Sequence, residues 1–493
     1  MHTSASRPLF FALLASLAVL PGCTVGPDYR GAPDVTGSAG HANAFVRAPS
    51  TGITSTHAPS QWWTTLGDAQ LNALIDTALA HNQNLQAAQA RLRESRAQLQ
   101  QQRADALPTV SADAAAVRAR KPDLSALQTS QNNTTSKGQG PVQLYTAGFD
   151  ASWEADLFGG TRRAIEAASA QAEAVDADLA DTQVSLAAEV AQAYINLRDQ
   201  QQRLTLANQS AELEQQTLVL IQQRRAQGVA GDADVERQTT QVENTRATLI
   251  PLDEQIAESL DQLAVLTGQA PGALDQTLSA PSPLPALPAT VPIDDPAKML
   301  QQRPDIRAAE RRLAASNAQI GERTADLFPK VTMLGFVGTN AANPGHLAQK
   351  SSFTWLGVPY LQWDVLDFGR TRGSIREAEA SRDEATARYT QTVLAALQDA
   401  NNALSRYGHQ RESVTRLQQI EVSADRSATL MRQRYNAGAS SMIDLLDTQR
   451  VEFAVDVAHH VERTFGQRSE HGRAGHARSF ADEEQPTFSA ACE

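Results

Sequence analysis

A few residues in this 493-residue chain have types and spacings that bear on chemistry. Asp444 and Asp447 lie three apart, so on a helix both carboxylates project from one face. Acids placed this way either constrict and charge a pore or sit at a helix start, where they favour the dipole. Asp150, Glu154 and Asp156 fall on one parity of an alternating segment, and Tyr145, Ala147, Phe149, Ala151, Trp153 and Ala155 fall on the other. On a strand this puts acids on one face and apolar side chains on the opposite one, the pattern of a lipid-facing barrel strand and equally of a half-buried strand in a soluble sheet. Glu154 and Asp156 form a carboxylate pair of the kind used in acid–base work, but lining of a water-filled barrel lumen is the better account. His459, His460, His471 and His476 are metal-ligating types, yet they occupy a stretch without regular periodicity, and chance clustering explains them better. No phosphate-binding Gly loop follows a strand, and no nucleophile motif stands out. The chain reads as a non-enzyme that needs neither metal nor cofactor.

The chemistry that does stand out is at the start. Arg7 precedes an apolar run from Leu9 to Leu20, too short for a stable bilayer-spanning helix and suited to an export signal over residues 1–22. The run ends in Leu20-Pro21-Gly22-Cys23, which resembles a bacterial lipobox; an ordinary signal peptide with a chance cysteine is the alternative. The lipobox reading makes Cys23 the lipidated first residue, carrying diacylglycerol and an N-acyl chain. Several acyl chains anchor firmly, at about 0.8 kcal/mol per buried methylene. Thr24 rather than Asp follows, which by the lipoprotein sorting rule implies the outer membrane. No later stretch is apolar enough for a transmembrane helix, so any membrane crossing falls to strands. The formal charge of -12 argues against a sequence-independent nucleic-acid binder.

The elements that position these residues occur twice. Asn84-Leu85-Gln86-Ala87-Ala88 and Ala104-Asp105-Ala106-Leu107-Pro108 recur 221 residues later as Asp305-Ile306-Arg307-Ala308-Ala309 and Ala325-Asp326-Leu327-Phe328-Pro329. Trp153-Glu154, Phe158-Gly159, Thr161-Arg162, Gly228 and Asp234 recur 210 residues later as Trp363-Asp364, Phe368-Gly369, Thr371-Arg372, Gly438 and Asp444. The eleven extra residues of the first copy fall between Pro108 and Trp153, where the polar run 129–140 reads as an exposed loop. Each copy reads helix, strand, loop, strand, long helix, turn, helix. A helix is expected from near 62–68 to about Ala106. Val110–Val117 and Val331–Val337 partner the alternating strands; in the second copy Phe353, Trp355, Leu361, Trp363 and Val365 share one parity, but Leu356 and Val358 break the alternation. Residues 161–225 lack proline and glycine; as one helix they span roughly 100 Å at about 1.5 Å per residue. Apolar spacings of three, four and seven there suit coiled-coil packing. Gly228 and Gly438 suit left-handed turn positions. The divisions are a signal (1–22), an extended tether (23–60), a first repeat (61–279), a Pro-rich linker (280–296), a second repeat (297–453) and an aberrant tail (454–493).

The lipobox, Val25-Gly26-Pro27-Asp28-Tyr29, Trp62-Trp63, the segment Trp153 to Gly159, Arg303-Pro304-Asp305-Ile306 and Asp367-Phe368-Gly369-Arg370 appear in this order. Together they resemble the outer membrane factor lipoproteins, the NodT-type, TolC-like components of resistance-nodulation-division efflux systems. The resemblance covers roughly residues 15–453. It implies a mixed α/β membrane protein: a homotrimer with four strands per protomer in one twelve-stranded barrel, and a helical coiled-coil tunnel through the periplasm. Physics agrees, since four strands cannot close alone and open edges are not tolerated in lipid. It implies a periplasmic adaptor and an inner-membrane pump as partners, outer-membrane lipid around the barrel, and passive conduction of small molecules to the exterior. It maps a periplasmic gate onto Asp444 and Asp447, which threefold symmetry stacks into two carboxylate rings, with Tyr435 hydrogen-bonded to a neighbouring helix as a latch. Arg434 is the alternative latch, or a solvated charge. A lipid-anchored periplasmic adaptor or structural coiled coil is the competing reading, against which the two strand hairpins argue.

The duplication makes a demand that the tail does not meet. Carried forward 210 residues, Leu249 and Ile250 become His459 and His460, Leu260 becomes Glu470 and Leu266 becomes His476. The final helix is therefore expected to be lost after about Phe453, through a frameshift or by divergence into a disordered tail.

Overall fold

In the computed structural model, residues 24–35, 45–54, 56, 59–119, 142–285, 290–293 and 295–471 are described, with the backbone alone at 142 and 463–471. The export signal, Cys23, the loop at 129–140 and the tail beyond His471 lie outside the described residues. The chain forms two compact units: residues 1–32, 93–173 and 311–387, and residues 33–92, 174–310 and 388–493.

Helices α1 (Ala69–His81) and α2 (Gln83–Ala104) occupy the place where one continuous helix is expected, after a short 3-10 turn at Trp62–Leu66. Asp68 starts α1 by accepting from the amides of Gln70 and Leu71. Asn82, in extended conformation, then interrupts the run, accepting from the Leu85 amide (3.0 Å) and donating to the Leu266 carbonyl (2.9 Å). The second copy breaks 221 residues on, at Arg303, between α6 (Pro296–Gln302) and α7 (Pro304–Ala325). There Pro304 forces extended backbone on its predecessor, and Arg303 folds back on Asp305 through two bonds of 3.0 and 2.7 Å.

The first unit holds a four-stranded antiparallel sheet in the order β1 (Thr109–Ala119), β2 (Val142–Ala155), β3 (Lys330–Ala341), β4 (Phe353–Gln362). The β2–β3 seam joins the two copies, and β1 and β4 are open edges. Trp363 and Val365 fall beyond the end of β4, so the strand stops short of the expected alternation. Both tryptophans serve as braces: the indole of Trp153 donates to the Ala106 carbonyl (3.0 Å) and that of Trp363 to the Leu327 carbonyl (3.1 Å).

Two long helices, α3 (Gly160–Ala226) and α8 (Arg370–Asn436), have 67 residues each and lie 210 apart. After tight turns, α3 leads to α4 (Asp232–Ala247) and α5 (Leu249–Leu266), and α8 leads to α9 (Met442–His471). The expected loss of helix after Phe453 does not occur in α9. Its side chains from Val455 through Glu462 are part-buried except Ala458, and that packing holds the helix despite the changed residue types. No described helix is long and apolar enough to cross a membrane.

The core of the second unit is built around Trp62, Trp63, Leu71, Ile75, Tyr194, Leu197 and Leu263. The two indoles meet edge-to-face at 5.9 Å. Tyr194 donates to Asp68 (2.8 Å), and burial pushes its phenol up to about 12. Buried Arg198 stacks on that ring at 4.9 Å and donates to Gln70, Gln201 and the Leu278 and Ala280 carbonyls, holding the start of the Pro-rich linker. The tether is packed rather than free where it is described. Phe45 is buried with Met299, Ala400 and Leu404, and Ile53–Thr54 pairs with Val291–Pro292.

Candidate functional site

The turns that end the long helices share one backbone device. Gly228 and Gly438 take φ of 76° and 74°, which only glycine adopts freely. Val229 donates to the Arg224 carbonyl and Ala439 to the Arg434 carbonyl, each at 2.9 Å, closing Schellman turns. The helices that follow begin alike. Asp234 accepts from the Gly231 amide (3.1 Å), and Asp444 accepts from the Ser441 amide (3.1 Å) and hydroxyl (2.7 Å). The Ser441 hydroxyl also takes the Asp444 amide at 3.2 Å, completing a capping box. These bonds hold the Asp444 carboxyl below the usual carboxylate range. Asp444 is thus a helix-start acid in this single chain. Asp447 projects into solvent, its nearest basic group Arg450 at 4.0 Å; Arg450 reaches Gln241 of α4 at 2.9 Å.

Tyr435 is buried, and its neighbour is Arg224 of α3, whose guanidinium lies 4.2 Å from the ring centroid. It therefore engages the neighbouring helix through its ring face. Burial raises its phenol above the ordinary value. Two histidines of the changed region find acids: His459 is 2.5 Å from Glu421 of α8, and His460 is 3.7 Å from Asp199 of α3. Adjacent helical residues point about 100° apart, so this pair addresses two different helices.

On the sheet, Asp150 and Glu154 share a face with Asp113, Thr332, Phe336 and Leu356. The opposite face, including Val110, Phe149, Trp153, Val337, Trp355 and Leu361, carries no acid and a single base, Arg118, near the far end of β1. The acid-bearing face is polar at Ser111, Asp113, Asp150, Ser152 and Glu154 but holds Val117 and Leu144 toward the far end of β1 and β2, and Leu334, Phe336, Leu356 and Val358 on β3 and β4, so alternation of polarity describes only part of it. The Phe336 ring lies against Gly148 and Gly338: a methyl added at either would come within 2.7 Å of it. Asp156 lies past the end of β2 and does not join this face. It braces the start of α3, accepting from the Arg162 amide (2.9 Å) and Nε (3.2 Å). Asp367 does the same for α8 through the Gly369 and Thr371 amides; the Thr371 hydroxyl first, and then these amides, bring its carboxyl down to about 2.

The residues just after Cys23 are strapped to the first unit. Val25 donates to the Phe158 carbonyl (3.1 Å), Asn317 donates to the Pro27 carbonyl (3.0 Å), and Asp28 pairs with Arg163 at 2.6 Å. Gly26 meets Gly321 and Gly159 meets Thr24 so closely that a β-carbon would fall 2.3 and 2.5 Å from its neighbour.

Sequence reasoning missed Arg224 beneath Tyr435, and it missed the Ser441 cap. The Ser-x-x-Asp spacing from 441 to 444 carried that second signal.

This arrangement has known counterparts. The family described as outer membrane efflux protein matches residues 74–269 and 296–460, one segment in each copy. The outer membrane protein OprJ of Pseudomonas aeruginosa is 31% identical over 450 residues, covering 91% of this chain and 90% of that one. Nodulation protein T of Rhizobium leguminosarum bv. trifolii is 29% identical over 446 residues, covering 90% of each. The solved structure of the outer-membrane channel OprN superposes with a TM-score of 0.83 at 33% identity, covering 93% of this chain and 99% of that one. The duplicated hairpin-and-helix plan, matched in both of its copies, places the chain in the outer membrane efflux protein family.

Proposed function

We propose that this protein is the outer-membrane duct of a tripartite efflux system, conducting small molecules passively from a periplasmic pump complex to the exterior. One observation carries the reading: a four-stranded sheet with one nearly uncharged face and two open edges, continued by 67-residue helices. Such edges in lipid require partner strands, and three copies supply twelve. The uncharged face meets lipid, and the face with Asp150 and Glu154 lines the lumen. A periplasmic adaptor and an inner-membrane resistance-nodulation-division pump deliver the cargo. Planar-bilayer recording on the purified chain tests this. Discrete conductance from a heat-modifiable trimer is expected; a trimer without conductance, or no trimer, rejects the reading.

Two finer assignments belong with it. Lipid on Cys23 anchors the chain, supported by the strapping of Thr24 to Gly159 at the foot of the sheet. Radiolabelled palmitate should enter the protein and be lost in Cys23→Ser. In the trimer, Asp444 and Asp447 form stacked acidic rings at the tip, Asp444 serving as cap and ring together. The double change Asp444→Ala, Asp447→Ala should raise conductance and weaken block by divalent cations, and unchanged behaviour counts against the rings. We read the change of pattern after Phe453 as a frameshift, with the family match in the second copy stopping at 460. Sequencing the locus should find an alternate frame that continues the apolar heptads.

A further inference from the structure

Two surfaces of different chemistry meet on the acid-bearing face of the sheet. Asp113 and Asp150 stand on β1 and β2, whereas Phe336, Leu356 and Val358 stand on β3 and β4. We infer that the Phe336 ring, with carboxylates on one side and aliphatic side chains on the other, is a binding station for amphiphilic organic cations. The inference rests on the duct reading and adds to it a site and a class of cargo.

The posture of the ring comes from what lies beneath it. Gly148 and Gly338 face one another across the β2–β3 seam, two residues along from the Asp150–Phe336 pair. A β-carbon on Gly148 would stand 2.7 Å from Cε2 of Phe336, and one on Gly338 would stand 2.6 Å from Cζ. The outer edge of the ring therefore lies at the height where side chains would begin. It rests on both glycines, with one face on the sheet and the other toward the lumen. Phe336 is accordingly half-buried although it belongs to a face with no second layer above it among the described residues. A ring fixed in this way offers its face to a cation without having to be ordered first.

Charge around the ring selects the sign of the ligand. Asp150 is the cross-strand partner of Phe336, and Asp113 is the partner of Gly148, on which the ring rests. Strands about 4.8 Å apart thus bring two carboxyl groups to one flank of the ring. The Ser111 hydroxyl donates to Asp113 at 3.1 Å and orients it. Among the described strand residues, the one base on this face is Lys330 at the foot of β3, and Asp326 holds it at 2.9 Å.

The other flank selects an apolar body. Leu356 is the β4 partner of Phe336, and Val358 faces Leu334 in the neighbouring pair. Leu356 and Val358 are 57% and 38% exposed on a face that the duct reading fills with water. Apolar surface left in water gains from any apolar group that covers it. A small inorganic cation would leave this flank wet, and a neutral hydrocarbon would leave the carboxylates unused. A molecule joining an ammonium group to an alkyl or aryl body satisfies both.

Single-channel block tests the station on the full chain in planar bilayers. The probes are tetramethylammonium, octyltrimethylammonium and octyl sulfate, each below its micelle concentration. In about 1 M KCl, diffuse fields are screened beyond about 3 Å. Octyltrimethylammonium should block at concentrations at least about tenfold lower than tetramethylammonium, because its tail covers apolar surface. Octyl sulfate, with the same tail, should not block. Phe336→Leu should weaken octyltrimethylammonium block about threefold, and Phe336→Trp should retain it. Leu356→Ser with Val358→Ser, both at exposed positions, should remove most of the gain from the tail. Asp113→Asn with Asp150→Asn should bring octyltrimethylammonium close to octyl sulfate, whereas Glu154→Gln should leave its block nearly unchanged. Conducting trimers whose block ignores tail length, or falls as much in Glu154→Gln as in the Asp113, Asp150 double variant, overturn the inference and leave the duct reading standing. Equal block by octyl sulfate does the same. Absence of conductance overturns both.

Discussion

Ser441 and Asp444 cap a helix at the place where the acidic rings are proposed. The cap satisfies amides at the start of α9 that would otherwise lack partners. Ser441→Ala should cost about 1 kcal/mol and speed amide exchange in the first turn of α9. Because the folded Asp444 carboxyl sits below its ordinary value, its contribution is present above the usual carboxylate range and is lost as pH falls through the lowered one. At the neighbouring turn, Tyr435 presents its ring rather than its hydroxyl to Arg224. Tyr435→Phe should therefore leave conductance nearly unchanged. Arg224→Ala should loosen the tip by about 0.5–2 kcal/mol, read as a higher open fraction in single-channel records.

At the scale of elements, the α8–α9 pair carries the opposite pH sign. Burial raises both Glu452 and Asp456, and neighbouring acids on α8, Glu421 and Asp425 among them, add to the effect; Arg432 and His459 offset it. A carboxyl raised in the folded state contributes stability at low pH that is lost as pH rises through its folded value. Mild acidification should thus slow exchange along α9, after correction for intrinsic rates, and Asp456→Asn should flatten the response. The pattern of residues made most of this legible. The repeat offsets, the strand parities and the proline-free runs are one-dimensional signals, and they map onto α3, α8 and the four strands. The break at Asn82 was not legible, because it depends on where that side chain finds its partner, the Leu266 carbonyl, whereas the break at Arg303 is marked in the sequence by Pro304. Persistence of α9 past Phe453 was hidden for the same reason, since tertiary packing overrides a weakened period.

For the whole molecule, the sheet sets the tolerance to change. Gly338 lies where an added β-carbon would stand 2.6 Å from the Ala147 carbonyl oxygen. Gly338→Ala should cost about 1–3 kcal/mol and reduce the yield of heat-modifiable trimer. Half of the proposed inner face was also beyond sequence reading. Leu334, Phe336, Leu356 and Val358 follow no polar alternation, and only the register reveals that they share a face with Asp150.

The strap after Cys23 has a consequence in time. Its partners include Phe158 and Asn317, so the segment that leaves the export machinery first cannot be fully seated until a residue nearly three hundred positions later has arrived. Neither Gly26 nor Gly159 leaves space for a looser fit. Fastening of the amino terminus therefore waits for the first long helix of the second copy, α7. Chains stopped before Asn317 should keep residues 24–29 open to periplasmic proteases, and finished chains should hide them.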